Sequence, residues 1–130
     1  MADDLFQAAR QAMTFCHAPY SHFPVGAAIR ANDGRIYTGA NIENLAFPEG
    51  WCAETTAISH MIMGGAREIV EIAVIAEKLD LCPPCGGCRQ RIREFATEKT
   101  RIYLCTEAGI GKTMSMNELL PHSFTTDVIG

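Results

Sequence analysis

Two short runs hold most of the residues able to do chemistry: Cys52-Ala53-Glu54 and Pro84-Cys85-Gly86-Gly87-Cys88. Each run opens a helix. A helix N-terminus supplies unpaired N–H groups and a partial positive charge, so both placements lower the cost of forming a thiolate, the state of cysteine that binds metal. Three soft thiolates from two helix starts can hold one tetrahedral Zn²⁺ and leave its fourth position to water, the open arrangement of a catalytic site. Glu54 stands two residues beyond Cys52. It can face the same cavity without being a ligand, take a proton from that water and pass it on, which makes the set a hydrolytic device. Cys-X-X-Cys alone also serves structural zinc and redox sites, and Cys-Ala-Glu alone carries almost no information. In this order, and followed by Arg89-Gln90, the combination is specific.

Other readings compete for the same residue types. Cys82, Cys85 and Cys88 form Cys-X-X-Cys-X-X-Cys, the opening of a bacterial iron–sulfur run, but the fourth position holds Ile92 and no Cys-Pro follows. Cys82 reads as a packed strand-end thiol, and Cys16 and Cys105 as core residues. A purely structural zinc knot, with Cys82 in place of Cys52, is the alternative; it would leave Glu54 without a task. Gly111-Lys112-Thr113 resembles the end of a phosphate loop, yet the required first glycine position is Thr106 and no long helix follows, so a hairpin turn with an exposed lysine is expected. His17, His22, His60 and His122 each lack ligand spacing. His60 lies about 12 Å along a helix from Cys52, too far to share its metal. Trp51 either shapes a cavity wall or simply packs.

The composition bounds the rest. A chain of 130 residues, 48% hydrophobic and 20% charged, fits one globular domain over 1–130 and disfavours disorder, collagen-like repetition and coiled coil. Lys+Arg number 11 against 15 Asp+Glu, a net charge of −4 with no basic run, so nucleic acid is not expected as a partner. Asp3 and Asp4 stand where a signal peptide carries positive charge, and no apolar stretch approaches the roughly 18 residues of a membrane span, so no membrane association and a cytoplasmic location are expected. In that reducing compartment six cysteines read as metal ligands, a catalytic thiol or packing, not as disulfides.

The elements that must position these residues follow from periodicity. Leu5, Phe6, Ala9, Ala12, Met13 and Cys16 recur at helical spacing and mark a first helix ending before Pro19. Val25 to Ala31 and Arg35 to Glu43 flank Asn32-Asp33-Gly34 as a hairpin, and Gly26, Ala27 and Ala28 permit close packing against its first strand. A buried helix carries Ala53, Ala57, Ile58, Met61 and Ile62 and stops at Gly64-Gly65. Ile69 to Ala76 reads as a strand covered on both faces, Cys85 to Ala96 as a helix, Arg101 to Thr106 as a strand and Asn117 to Leu120 as a short capped helix. Strands interleaved with helices predict an α/β fold, a three-layer α/β/α sandwich with a mixed, partly parallel sheet of about five strands.

The runs Ser21-His22-Phe23-Pro24-Val25-Gly26-Ala27-Ala28, Asn41-Ile42-Glu43-Asn44, Cys52-Ala53-Glu54 and Pro84-Cys85-Gly86-Gly87-Cys88-Arg89-Gln90 together resemble the small homotetrameric cytidine deaminases over almost the whole chain. The resemblance implies zinc-dependent hydrolysis of cytidine or 2′-deoxycytidine to the uridine nucleoside with release of ammonia, a step of pyrimidine salvage. It implies one Zn²⁺ per subunit on Cys52, Cys85 and Cys88, with Glu54 as the proton shuttle. By the same matching, Phe23 lies against the pyrimidine, Asn41 and Glu43 bind the ribose hydroxyls, and the Ala53 backbone helps fix the base. Phe47 and Phe124 correspond to aromatic residues that neighbouring subunits place around the pocket, so active sites at subunit interfaces are expected.

One position departs from that pattern. The family usually carries Arg directly after the glutamate, where it hydrogen-bonds the thiolates; this chain has Thr55. Three thiolates on a divalent cation leave a net negative charge, which opposes deprotonation of water there unless donors drain charge from sulfur. The Thr55 hydroxyl with backbone donors is expected to supply this, with Arg89, Arg91 and the helix starts as other candidates. The competing functions are a non-catalytic zinc-stabilised binding module and, among deaminases, enzymes acting on polynucleotides, nucleotides or blasticidin-type substrates. The acidic balance opposes the polynucleotide reading, and Glu43 at the sugar favours nucleosides over phosphorylated substrates.

Overall fold

The computed structural model describes residues 2–125. Helix α1 (Ala2–Met13) buries Leu5, Phe6, Ala9 and Met13 along one face and carries Asp3 and Asp4 in its first turn, where the helix dipole favours them. Strands β1 (Val25–Ala31) and β2 (Ile36–Ala40) form the hairpin. Its turn is set by Gly34 at a φ of 82° and by Asp33, which accepts hydrogen bonds from the Arg35 backbone N–H and the Tyr37 hydroxyl. A single 3₁₀ turn (Phe47–Glu49) leads to α2 (Ala53–Met63), and β3 (Ile69–Ala76) follows with both faces covered. Next come α3 (Gly86–Phe95), β4 (Ala96–Thr106), β5 (Gly109–Ser115) and α4 (Met116–Leu119), the last started by a reciprocal Ser115–Glu118 capping box.

The strands lie in the order β2-β1-β3-β4-β5. Only β3 and β4, joined through α3, are parallel; the other neighbours are antiparallel, so the sheet is mixed. Helix α1 covers one face over Ala28, Ala73, Ile75, Tyr103 and Cys105. Helices α2, α3 and α4 cover the other over Ile29, Ile72, Val74, Ile102 and Leu104. This is the expected three-layer arrangement. No helix among the described residues is long and apolar enough to cross a membrane.

Two strand glycines set how closely the helical layers approach. A Cβ on Gly26 would meet the Ala9 carbonyl and, at 2.8 Å, the Met13 Cβ; one on Gly39 would meet the Ala57 N–H and, at 2.5 Å, the Ala53 carbonyl. Gly26 therefore seats α1, and Gly39 seats the first turn of α2 on the opposite face.

Three boundaries differ from expectation. Strand β2 ends at Ala40, not Glu43, because beyond Asn41, whose N–H still donates to the Val25 carbonyl at 3.3 Å, the chain turns to isolated bridges of Ile42 with His17 and Trp51. Strand β4 begins at Ala96, where α3 stops; the buried Thr100 hydroxyl donates to the Ile69 carbonyl at 2.6 Å and accepts from the Thr97 N–H at 2.8 Å, fixing this early part of the strand. Gly111-Lys112-Thr113 lies inside β5, paired with Tyr103 and Leu104, and the turn falls at Glu107-Ala108. Most of β5 is exposed, so it lacks apolar alternation and is held by backbone pairing to β4.

Candidate metal centre and active site

Cys52 and Cys85 are the N-caps of α2 and α3, both with extended backbone, and neither spends its side chain on a capping hydrogen bond. Their sulfurs are 4.0 Å apart. Cys88, in the first turn of α3, is fully buried. The three sulfurs lie within 4.8 Å of one another, and among the described residues they are the only such group of potential ligands. A tetrahedral zinc with Zn–S bonds of about 2.3 Å separates its sulfurs by about 3.8 Å, so the cluster fits that ion with little adjustment. Cys82 stands outside the cluster, which disfavours the knot that would replace Cys52.

Donors converge on one sulfur. The Thr55 hydroxyl lies 3.7 Å from Cys88 Sγ, and Arg91 Nη1 donates to the same atom at 3.9 Å. Arg89 is committed elsewhere: Nε donates to the Pro84 carbonyl at 2.9 Å and Nη1 to the Leu119 carbonyl at 2.7 Å, tying α3 to α4. A hydrogen bond between the Cys52 and Cys88 thiols holds Cys52 below the usual thiol range and pushes Cys88 above it, burial adding to the rise at Cys88. Glu54, only 4% exposed, has its carboxyl raised by desolvation, opposed by the charge of Arg91. A carboxyl so placed accepts a proton more readily than one in water.

Glu54 opens onto a cavity of about 360 Å³, within the range that encloses small molecules. Asn41, Glu43, Phe47, Ala53, Cys52 and Cys85 line it, with Val25 and Val74 adding apolar surface. Backbone pairing brings the 41–43 segment here. Ile42 exchanges hydrogen bonds with Trp51 at 2.9 and 2.8 Å, while His17 donates to the Asn41 carbonyl at 2.9 Å and accepts from the Glu43 N–H at 2.7 Å. The Asn41 side chain then crosses to the 23–25 segment: Oδ1 accepts from the Val25 N–H at 3.0 Å and Nδ2 donates to the Phe23 carbonyl at 2.9 Å. Glu43 Oε1 accepts from the Tyr20 and Ser21 N–H groups at 2.9 and 3.1 Å, and its hydrogen bonds with Ser21 hold the carboxyl below its usual range.

The aromatic residues divide. Phe47 lines the cavity yet is 72% exposed, its ring 5.8 Å from that of Tyr20. The half-buried Phe23 and the 61% exposed Phe124 lie outside the lining of this cavity in a single chain; Phe124 offers its carbonyl to Gln90 Nε2 at 2.9 Å. Trp51 takes the wall position. Cys82 is a correction: it sits in the loop after β3 and lines the cavity instead of packing at a strand end. Cys105 is buried as expected, whereas Cys16 is only half-buried beyond the end of α1. Val25 and Val74 were not legible as cavity residues, since an apolar strand residue gives no sign of whether it meets a helix or a void.

Comparison with known proteins agrees with this geometry. A family model for the cytidine and deoxycytidylate deaminase zinc-binding region matches residues 1–104. The cytidine deaminase of Halalkalibacterium halodurans is 41% identical over 123 residues, 95% of this chain and 93% of the relative. That of Sporosarcina psychrophila is 38% identical over 125 residues, 96% and 92% of the two chains. Among solved structures, cytidine deaminase from Burkholderia pseudomallei superposes with a TM-score of 0.87 at 36% identity, covering 93% of this chain and 97% of that one. The Mycobacterium tuberculosis enzyme gives 0.83 at 30% identity over 94% and 95%. With a cluster of three thiols fit for zinc, a buried glutamate beside it and relatives matched over nearly their full length, the chain belongs to the zinc-binding cytidine deaminase family.

Proposed function

We propose that this chain hydrolyses cytidine and 2′-deoxycytidine to uridine and 2′-deoxyuridine with release of ammonia, using Cys52, Cys85 and Cys88 as zinc ligands and Glu54 as proton carrier. The observation that carries the reading is a buried carboxyl, Glu54, opening with two of those cysteines onto one nucleoside-sized cavity. Bound zinc supplies a Lewis acid that makes water nucleophilic at neutral pH. Glu54 would serve as the proton carrier, taking one proton from the attacking water to the ring N3 and the next to the departing amino group. A C–O bond would form at C4 as N3 gains its proton; the C–N bond would then break as the second proton reaches the amino group and the C4 carbonyl forms, so that water and cytidine balance uridine and ammonia. Desolvation suits Glu54 to this shuttle because it narrows the free-energy gap between its protonated and ionised states.

Asn41 and Glu43 take the sugar hydroxyls and the Ala53 backbone meets the base, while Phe23, which lies outside the lining of the cavity in a single chain, approaches the pyrimidine from beside it. The ionised Glu43 repels a phosphate at the sugar, which favours nucleosides over deoxycytidylate. Exposed apolar side chains in the 41–51 segment, Phe47 at 72% and Trp51 at 50% on the cavity and Leu45 at 78% near them in sequence, support a homotetramer in which Phe47 and Phe124 complete neighbouring pockets. A set of free thiols at a metal site supports a cytoplasmic location. One domain over 1–130 is supported by the single sheet that the helices cover among the described residues.

The test is the fall in cytidine absorbance and the release of ammonia by the parent and by Glu54→Gln. Turnover in the variant is expected to fall by about 10²- to 10⁴-fold with zinc retained. No ammonia from the parent, or undiminished ammonia from the variant, overturns the assignment. Comparing cytidine, deoxycytidine and deoxycytidylate at steady state tests the place given to Glu43.

A further inference from the structure

We propose that Arg91 is the positioning residue that balances the thiolate charge of the metal centre, acting from α3 on the buried Cys88 sulfur. The inference rests on the reading of Cys52, Cys85 and Cys88 as zinc ligands. Three thiolates on one divalent cation leave an excess negative charge, and the cost of that charge is greatest at the sulfur with no access to water. That sulfur is Cys88, which is 0% exposed. It is also the one on which the Arg91 guanidinium and the Thr55 hydroxyl converge, at 3.9 and 3.7 Å.

The local sequence allows this approach. Arg91 follows Cys88 by three residues, so the two side chains share one face of α3. The guanidinium lies along the Gly87 side of the helix, where a Cβ would stand in ordinary contact with Arg91 Nη1 at 3.4 Å. The neighbouring arginines on the helix are tied down elsewhere. Arg89 serves the Pro84 and Leu119 carbonyls, and Arg93 donates to Ser123 Oγ at 3.0 Å and to the Ala96 carbonyl at 3.4 Å. Thr55 supplies a hydroxyl without charge, so the compensating charge comes from Arg91. Arg91 is absent from the cavity lining, so it does not touch substrate; its charge also reaches Glu54, and the metal readouts, not kcat alone, therefore separate its action on the thiolates.

The experiment compares the full-length parent with Arg91→Lys, Arg91→Met and Cys88→Ala. Zinc affinity is read by competition with a chromophoric chelator, the sulfur-to-metal charge-transfer band is read on the Co²⁺-loaded protein, and kcat and KM are read with cytidine. Arg91→Met is expected to weaken zinc binding by about 10- to 100-fold, displace the cobalt band and lower kcat while KM for cytidine stays near the parental value. Arg91→Lys, which keeps the charge, is expected to recover most of the affinity and the band position. If Arg91→Met keeps parental zinc affinity and cobalt spectrum, or if Arg91→Lys fails as badly as Arg91→Met, the proposal is overturned. Cys88→Ala separates the two levels: if it retains parental zinc affinity the metal-centre reading itself falls, and if it alone loses zinc only the role of Arg91 falls.

Discussion

Replacing Gly39 with alanine puts one methyl group between β2 and the first turn of α2. The new Cβ would stand 2.5 Å from the Ala53 carbonyl and 2.9 Å from the Thr56 carbonyl carbon, both backbone atoms that no rotamer change can move. Ordinary contact begins at 3.4 Å, so α2 must retreat from the strand by about 0.9 Å at Ala53 and by more at the Ala57 backbone nitrogen, which the Cβ would meet still more closely. Overpacking of this kind costs about 1–3 kcal/mol, a drop of roughly 3–15 °C in melting temperature. The larger consequence is geometric. Cys52 caps α2 and Glu54 sits in its first turn, while Cys85 and Cys88 belong to α3, so a movement of α2 alone changes the distances between ligands. Metal sites tolerate deviations of about 0.2 Å, and misplacing a catalytic group by about 1 Å costs on the order of 100-fold in rate. Gly26→Ala is the comparator, because its Cβ would press on Ala9 and Met13 of α1 on the far face of the sheet. Thermal melts of the metal-free chains, zinc competition and cytidine turnover should show both variants destabilised, with zinc affinity and turnover lost mainly in Gly39→Ala. Parental zinc affinity and turnover in Gly39→Ala, or equal losses in both variants, would refute the idea that the seat of α2 on β2 sets the site.

Two further outcomes follow from single groups. Asn41→Ala removes both side-chain hydrogen bonds that lock the Phe23–Val25 backbone beside the cavity, so it should raise KM for cytidine more than it lowers kcat and destabilise the fold by about 1–3 kcal/mol; an unchanged KM would dissociate that segment from substrate binding. Burial, with the hydrogen bond to Glu71 Oε1, pushes the Tyr103 hydroxyl from 10.0 up to about 12. Because the folded state keeps this proton after the unfolded chain has begun to lose it, Tyr103 contributes stability below pH of about 10 that disappears as pH rises through about 12. Denaturant midpoints of the parent should therefore fall more steeply than those of Tyr103→Phe across that window, and parallel curves would contradict the burial assigned to this hydroxyl.

The chemistry of this protein was written in short-range patterns. Cys52 and Cys85 sit at helix starts because the flanking residues encode those starts locally, and the alternation and turn signals around Asp33-Gly34, Ile69–Ala76 and Pro83-Pro84 place the main strands and helices. The layered α/β arrangement follows from how such elements bury their apolar faces. Tertiary structure decided what depends on distant contacts. The exposed strand β5 carries almost no apolar signal, and its existence rests on backbone hydrogen bonds to β4. Which side of an apolar strand meets a cavity, as at Val25 and Val74, depends on where α2 and the 41–51 loop come to rest. Among the arginines after Cys88, composition alone gives no reason to prefer one. The choice of Arg91 comes from α4, whose Leu119 carbonyl draws Arg89 away, and from the packing that leaves Arg91 Nη1 within 3.9 Å of Cys88 Sγ. Sequence fixes which groups are available within a turn or a pairing; which of them meet is set by the packing of segments far apart in the chain.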